Sequence, residues 1–251
     1  MKEKISDDML EKWYRDFPNP KPSSTLLIRN LIIVAESGMI AAKDVKGGGI
    51  SFLKPSDFGI DWKLSSKAQL LHSPSKDCDF IYLLDPGPRK IIRLDLYFEG
   101  DFFGFYSKDY PLPFSLSKNF AASALRENFL LVDSGNKKYV FINEKGERIS
   151  ASLKMKECLG CAVLGPEGGI ACDEDKIFVF LRGERAEIGL SEITDEKMRN
   201  PIFGAGRSKN YAWAAIKDKD WNFSILICIS GNECFSYTRF PLDELKGRAP
   251  L

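Results

Sequence analysis

The chain has 251 residues, 44% of them hydrophobic and 28% charged, and its 36 lysines and arginines nearly cancel its 35 aspartates and glutamates. A formal charge of +1 provides no whole-molecule field for a polyanion, so neither nucleic acid nor an anionic membrane surface is an expected partner. The opening MKEKISDDML is too charged for the apolar stretch of a secretory leader, and no segment has the roughly 18 apolar residues of a membrane span, so a cytoplasmic location is expected.

At the N-terminus, Asp7 or Asp8 can cap a helix whose apolar residues Met9, Leu10, Trp13, Tyr14 and Phe17 fall on one stripe. Glu11 and Arg15 are spaced for an i to i+4 pair on the remaining surface, and the run breaks at PNPKP, Pro18 to Pro22. Residues 1–22 are therefore predicted to be a short amphipathic helix and a Pro-rich linker. Its preferred role is to dock on the following domain and cover an apolar face; the alternative is to bind a partner.

Five repeats follow, each an apolar run that ends in an acidic or small-residue turn and is answered by a second apolar run. They are LIIVAESG (Leu31 to Gly38), IYLLDPGPRKIIRLDL (Ile81 to Leu96), LLVDSGNKKYVFINEKG (Leu130 to Gly146), IACDEDKIFVFLRGE (Ile170 to Glu184) and AWAAIKDKDWNFSILICISGNE (Ala212 to Glu233). The turn residues Glu36, Asp85, Asp133, Asp173 and Asp218 recur about every 40 to 50 positions, the period of a propeller blade. The predicted fold is an all-β propeller of five blades, with six as the alternative, occupying 23–245 as one domain and leaving 246–251 as a tail.

The third, fourth and fifth repeats each resolve into four strands: NFAASAL, FLLVD, KYVFIN and RISASLKM; CAVLG, GIACD, KIFVFL and AEIGLSEI; IFGAG, YAWAAI, FSILICIS and CFSYTRF. The first repeat is less regular, and MIAAKDVKGGG reads as an insertion whose Gly47, Gly48 and Gly49 make it a mobile loop. The second carries Phe98, Phe102, Phe103, Phe105, Tyr106 and Tyr110, which either wedge one blade against the next, the preferred reading, or form a stacking platform for a ligand.

The five acidic turns invite a catalytic reading, because propeller glycosidases and calcium-dependent lactonases draw carboxylates from several blades. Ordinary turn chemistry is preferred: an aspartate carboxylate accepts backbone hydrogen bonds two residues on, and such turns lie between the middle strands of a blade. His72 is the single histidine, with no GxSxG serine and no HExxH zinc motif to work with it. Cys158 and Cys161 form a CxxC, with Cys172 following, and are weak candidates for a thiolate metal or redox site; free, mostly buried thiols are preferred for the six cysteines, which also include Cys78, Cys228 and Cys234. Neither Gly204-Ala205-Gly206 nor Lys46-Gly47-Gly48-Gly49 completes a nucleotide-binding motif, and no cofactor is expected.

The segments IYLLDPGPRKIIRLDL and LLVDSGNKKYVFINEKGERI resemble the repeats of NHL-type and related six-bladed propellers, in which a strand ends in an Asp-x-Gly turn before a second hairpin. The resemblance implies a blade and no catalytic residue, since such propellers include scaffolds, lactone hydrolases and lyases. The leading expectation is a non-catalytic binding or scaffold module with a protein partner or small ligand. A propeller-type hydrolase, a glycosidase or lactonase using a carboxylate cluster at the channel mouth, is the alternative.

Overall fold

The computed structural model describes residues 25–28, 31–36, 39–44, 50–53, 64–65, 67–73, 80–99, 102–112, 114–143, 145, 148–165, 168–207, 211–230 and 234–242. The predicted helix and linker over 1–22, Gly47 to Gly49 and the tail over 246–251 lie outside them. The described strands form five antiparallel sheets of four, each with its strands in chain order. This up-and-down meander is the blade unit of β-propellers, and each predicted repeat supplies one.

The chain divides into two compact units, Met1–Ser115 and Leu116–Leu251. In the first, sheet one comprises β1 (Thr25–Ile28), β2 (Leu31–Glu36), β3 (Met39–Asp44) and β4 (Ile50–Leu53); sheet two comprises β5 (Gln69–Ser73), β6 (Phe80–Asp85), β7 (Lys90–Glu99) and β8 (Phe102–Pro111). The expected insertion after Gly38 is corrected here, because Met39–Asp44 pairs with β2 from Glu36↔Met39 to Leu31↔Asp44. Its MIAA run has enough apolar surface to join the ladder. Ile33, Ala35 and Ile40 of sheet one share a core with Leu70, Ile81, Leu83, Ile92 and Leu94 of sheet two.

The second unit holds three sheets. The third has β9 (Phe120–Leu125), β10 (Asn128–Asp133), β11 (Lys138–Ile142) and β12 (Arg148–Ser152); the fourth has β13 (Gly160–Val163), β14 (Gly168–Cys172), β15 (Lys176–Leu181) and β16 (Glu184–Gly189). A 3-10 turn, Leu190–Glu192, leads on towards the fifth: β17 (Pro201–Arg207), β18 (Tyr211–Asp218), β19 (Phe223–Ser230) and β20 (Cys234–Pro241). Sheets three and four meet through Leu130, Val132, Tyr139 and Phe141 against Val163, Ala171, Phe178 and Phe180. Tyr139 and Phe180 approach to 4.4 Å between ring centroids. Each such buried aromatic contributes about 1.5 to 3 kcal/mol through burial. Sheets three and four come so close that a β-carbon at Gly169 would lie 2.7 Å from Leu130 Cδ2; within sheet four it would also lie 2.9 Å from the Ala162 carbonyl of β13.

Sheets four and five share a second core, with Ile170, Ile177 and Val179 against Ala214, Ile216, Ile225 and Ile227. The middle strands explain this layering. NFLLVD, GGIAC and KIFVFL are near-continuous apolar runs, buried on both faces so that each sheet can be packed from either side. In the fifth sheet the pattern changes: YAWAAIKD and FSILICIS alternate along β18 and β19, with one face buried and the other exposed or half-buried.

Candidate functional site

The recurrent acidic residues are latches within their own sheets. Asp218 ends β18 and is 1% exposed. Its Oδ2 accepts the N–H groups of Arg199 and Asn200 at 2.7 and 2.6 Å, while Oδ1 accepts the Asp220 N–H at 3.2 Å. One carboxylate therefore ties the segment entering the sheet to the turn between its two middle strands. Asp173 does the same with the N–H groups of Lys156 at 3.5 Å, Asp175 at 3.0 Å and Lys176 at 2.8 Å. Asp133 takes the Ser117 N–H at 2.7 Å and the Asn136 N–H at 3.0 Å, with the Ser117 hydroxyl also donating to it. Asp85 takes Ser65 at 3.2 Å and Gly87 at 3.0 Å. Burial pushes the Asp218 carboxyl up, but its three backbone donors and the Arg199 charge outweigh burial and hold it below its ordinary value. The side chain of Glu36 lies outside the described set.

The pleat turns Cys161 and Cys172 to opposite faces of sheet four, while Cys158 packs on the same core as Cys161. Cys161 lies in the core shared with sheet three, its thiol 3.8 Å from the Leu130 carbonyl, whereas Cys172 lies in the core shared with sheet five. Cys158 and Cys172 both lean on the Gly160 carbonyl, at 3.5 and 3.9 Å. Burial pushes the Cys158 thiol up to about 12 and raises Cys161 and Cys172 well above the usual thiol value. All three are thus protonated at neutral pH, the unreactive form. Among the described residues no three His, Cys, Asp or Glu side chains are placed to hold a metal ion. His72 sits on β5, half-buried. Of the aromatic group in sheet two, Tyr110 is buried, and the other side chains fall outside the described set. A shallow cleft of about 350 Å³ is lined by Ser191 to Glu196 and Arg239. Of its lining residues, Arg239 lies 4.0 Å over the Phe223 ring, and Glu192 accepts the Tyr237 hydroxyl at 3.2 Å.

What sequence reasoning missed is the outward face of sheet five. Four large hydrophobic side chains are strongly exposed among the described residues, and three of them, Ile202 (61%), Tyr211 (54%) and Trp213 (47%), point to this face. The register shows why they are together: Gly206 pairs with Trp213 and Ile202 with Lys217, so alternate residues of β17 and β18 share one side. The Trp213 indole fills the space a Gly206 side chain would take, since a β-carbon there would lie 2.5 to 2.6 Å from Cε2, Cζ2 and Nε1. Cys228, directly across from Trp213 on β19, is exposed. The signal was present in FSILICIS and YAWAAIKD, whose alternation marks a sheet with one wet face.

Five four-stranded meanders, each latched by a buried aspartate or ending its second strand on an acidic residue, define a protein of the β-propeller class. No protein-family model matches the chain, and no curated protein does. Among solved structures, it is similar to a putative 6-phosphogluconolactonase from Bacteroides uniformis, with a TM-score of 0.50 and 13% identity over 87% of this chain and 71% of that one. It is also similar to a virginiamycin B lyase from Staphylococcus aureus (TM-score 0.40, 14% identity, 89% and 87% coverage) and to the WD40 domain of SCAP from fission yeast (0.46, 8%, 86% and 57%). At such identities the likeness is one of fold. The NHL-type resemblance rests on the blade motif alone.

Proposed function

We propose that this chain is a non-catalytic binding module whose ligand or partner docks on the outward face of sheet five. The observation that carries the reading is the exposure of Ile202, Tyr211 and Trp213 on that single face. The hydrolase alternative has less support. The carboxylates it would draw on, Asp85, Asp133, Asp173 and Asp218, are 0 to 4% exposed and spend their oxygens on backbone N–H groups. A cytoplasmic setting belongs to the proposal, supported by the free thiols of Cys158, Cys161 and Cys172.

The test places a photo-reactive maleimide on Cys228, with Cys228→Ser as the control, and illuminates the protein in native extract. A specific adduct that disappears in Trp213→Ala and Tyr211→Ala supports the reading. Turnover of gluconolactone or an aryl glycoside, with no adduct formed at this face, overturns it.

A further inference from the structure

We infer that the end of sheet three carrying the Asp133 turn is an interaction surface for a short acidic segment of a protein partner, held by Lys118, Lys137 and Lys154.

The Asp133 latch gathers these lysines from three stretches of chain. Its carboxylate takes the Ser117 N–H, the Asn119 carbonyl accepts the Ser134 N–H at 3.0 Å, and the Lys137 carbonyl accepts the Leu153 N–H at 2.8 Å. Lys118 is thereby fixed beside the turn that Lys137 ends, and Lys154 follows where the chain leaves β12. A β-carbon at Gly135 would lie 2.7 Å from Ser117 Cβ, so a glycine is what lets the entering segment come this close. All three lysines are exposed, and none makes an ion pair among the described residues. Lys138, next along the chain, has an interaction of its own.

Sheet four treats the same position differently. Aligned on Asp133 and Asp173, Ser134 and Gly135 stand where sheet four has Glu174 and Asp175. Those two carboxylates pair with Lys156 at 3.0 and 2.5 Å and with Lys197 at 3.4 and 3.6 Å. In sheet three the single carboxylate on 116–119, 133–138 and 152–155 is Asp133 itself, 0% exposed and spent on its own donors. Three like charges are left with no counter-charge on the segments that carry them, an arrangement that an anion relieves.

The extent of the patch selects the anion. Lys156 follows two residues after Lys154, and there the carboxylates of sheet four begin, so a long polyanion laid across the lysines would meet Glu174 and Asp175. Residues 116–119, 133–138 and 152–155 contain no arginine, whose planar fork grips phosphate in two places, and no aromatic ring on which a base could stack. Lysine ammoniums are point charges on flexible stems, each able to meet a separate carboxylate. An extended peptide with a few adjacent acidic residues supplies separate carboxylates and little charge beyond what the patch can meet.

Fluorescence anisotropy with dye-labelled hexaglutamate tests this, with hexaglutamine and a thymidine hexanucleotide as controls. The expected result is saturable binding of hexaglutamate, and not of hexaglutamine, at about 20 mM salt, weakening about fivefold or more at about 200 mM. Lys118→Gln, Lys137→Gln and Lys154→Gln combined should lose about tenfold in affinity, the sum of three exposed ion pairs, whereas Lys118→Arg, Lys137→Arg and Lys154→Arg combined stay within about threefold of the parent. A second triple variant of equal charge, Lys145→Gln, Lys176→Gln and Lys219→Gln, alters exposed lysines elsewhere and should also stay within about threefold. Lys118→Gln with Lys154→Gln, expected to lose about fivefold, keeps the test decisive if the triple variant does not fold. Absence of saturable binding at low salt, equal losses in the two glutamine triples, or a thymidine hexanucleotide bound as tightly as hexaglutamate overturns the proposal. This surface is separate from the outward face of sheet five, so Trp213→Ala should leave hexaglutamate affinity unchanged; a loss in that variant overturns the assignment to sheet three. Failure of hexaglutamate to bind leaves the sheet-five reading standing.

Discussion

Replacing Asp218 by Asn isolates the latch, because the two side chains have nearly the same shape. The native carboxylate receives three backbone N–H groups, two from the entering segment and one from the turn. Asn offers a single carbonyl oxygen, so whichever side it serves, its amide N–H groups face the donors on the other. Hydrogen bonds to a charged group contribute about 1.5 to 3 kcal/mol each and neutral ones about 1. Weakening three bonds and leaving a donor unpaired should therefore cost about 3 to 5 kcal/mol, or on the order of 10 °C in Tm. The pH dependence supplies an independent check. Because the folded carboxyl titrates below its ordinary value of 3.8, its stabilisation is complete above that value and is lost as pH falls through the lower folded value. Urea denaturation of parent and variant between neutral and strongly acidic pH should show a gap that is largest near neutrality and closes in acid. A variant within about 0.5 kcal/mol of the parent at neutral pH, or a gap that widens in acid, would refute the latch.

Three further outcomes follow from the geometry. Gly169→Ala should destabilise the second unit by about 1 to 3 kcal/mol in chemical denaturation, because the Ala162 carbonyl that its β-carbon meets is backbone and cannot swing aside. Lys137, exposed at the end of the Asp133 turn with φ of 54°, should gain about 0.5 to 1 kcal/mol on replacement by Gly, read as a raised urea midpoint. Alkylation at pH 8 followed by peptide mapping should mark Cys228 in the native protein while sparing Cys158, Cys161 and Cys172; rapid labelling of Cys158 would restore it as a redox or metal candidate.

The repeats were legible because an aspartate at the end of an apolar run is a side-chain signal with a fixed period. The partners of those aspartates were not. Ser65, Ser117, Lys156, Arg199 and Asn200 all donate through the backbone N–H, which every residue but proline possesses, so no residue type announces the contact. Reading MIAAKDVKGGG as an insertion fails for a related reason: three glycines dominate the segment's composition, yet the six residues before Val45 carry the pairing. The outward face of sheet five had a visible signature in FSILICIS. Alternation shows that one side of a strand is left out of the core, but only the register reveals that Ile202, Trp213 and Tyr211 lie on that same side.

The latches also explain how the fifth sheet could give up an aliphatic face. Asp218 secures its entry and its middle turn through backbone groups, and Ile225, Ile227 and Ile229 secure its inner side against sheet four. Residues on the other side, including Lys217, Ser224 and Trp213, enter neither of these contacts. Substitution at Lys217 or Ser224 alters what the sheet presents without touching these contacts. Each latched sheet has the same freedom in principle, but sheet four must spend its corresponding face on Ala214 and Ile216 of its neighbour. The fifth sheet packs one face on sheet four and keeps the other exposed or half-buried, and Ile202, Tyr211 and Trp213 stand on that second face.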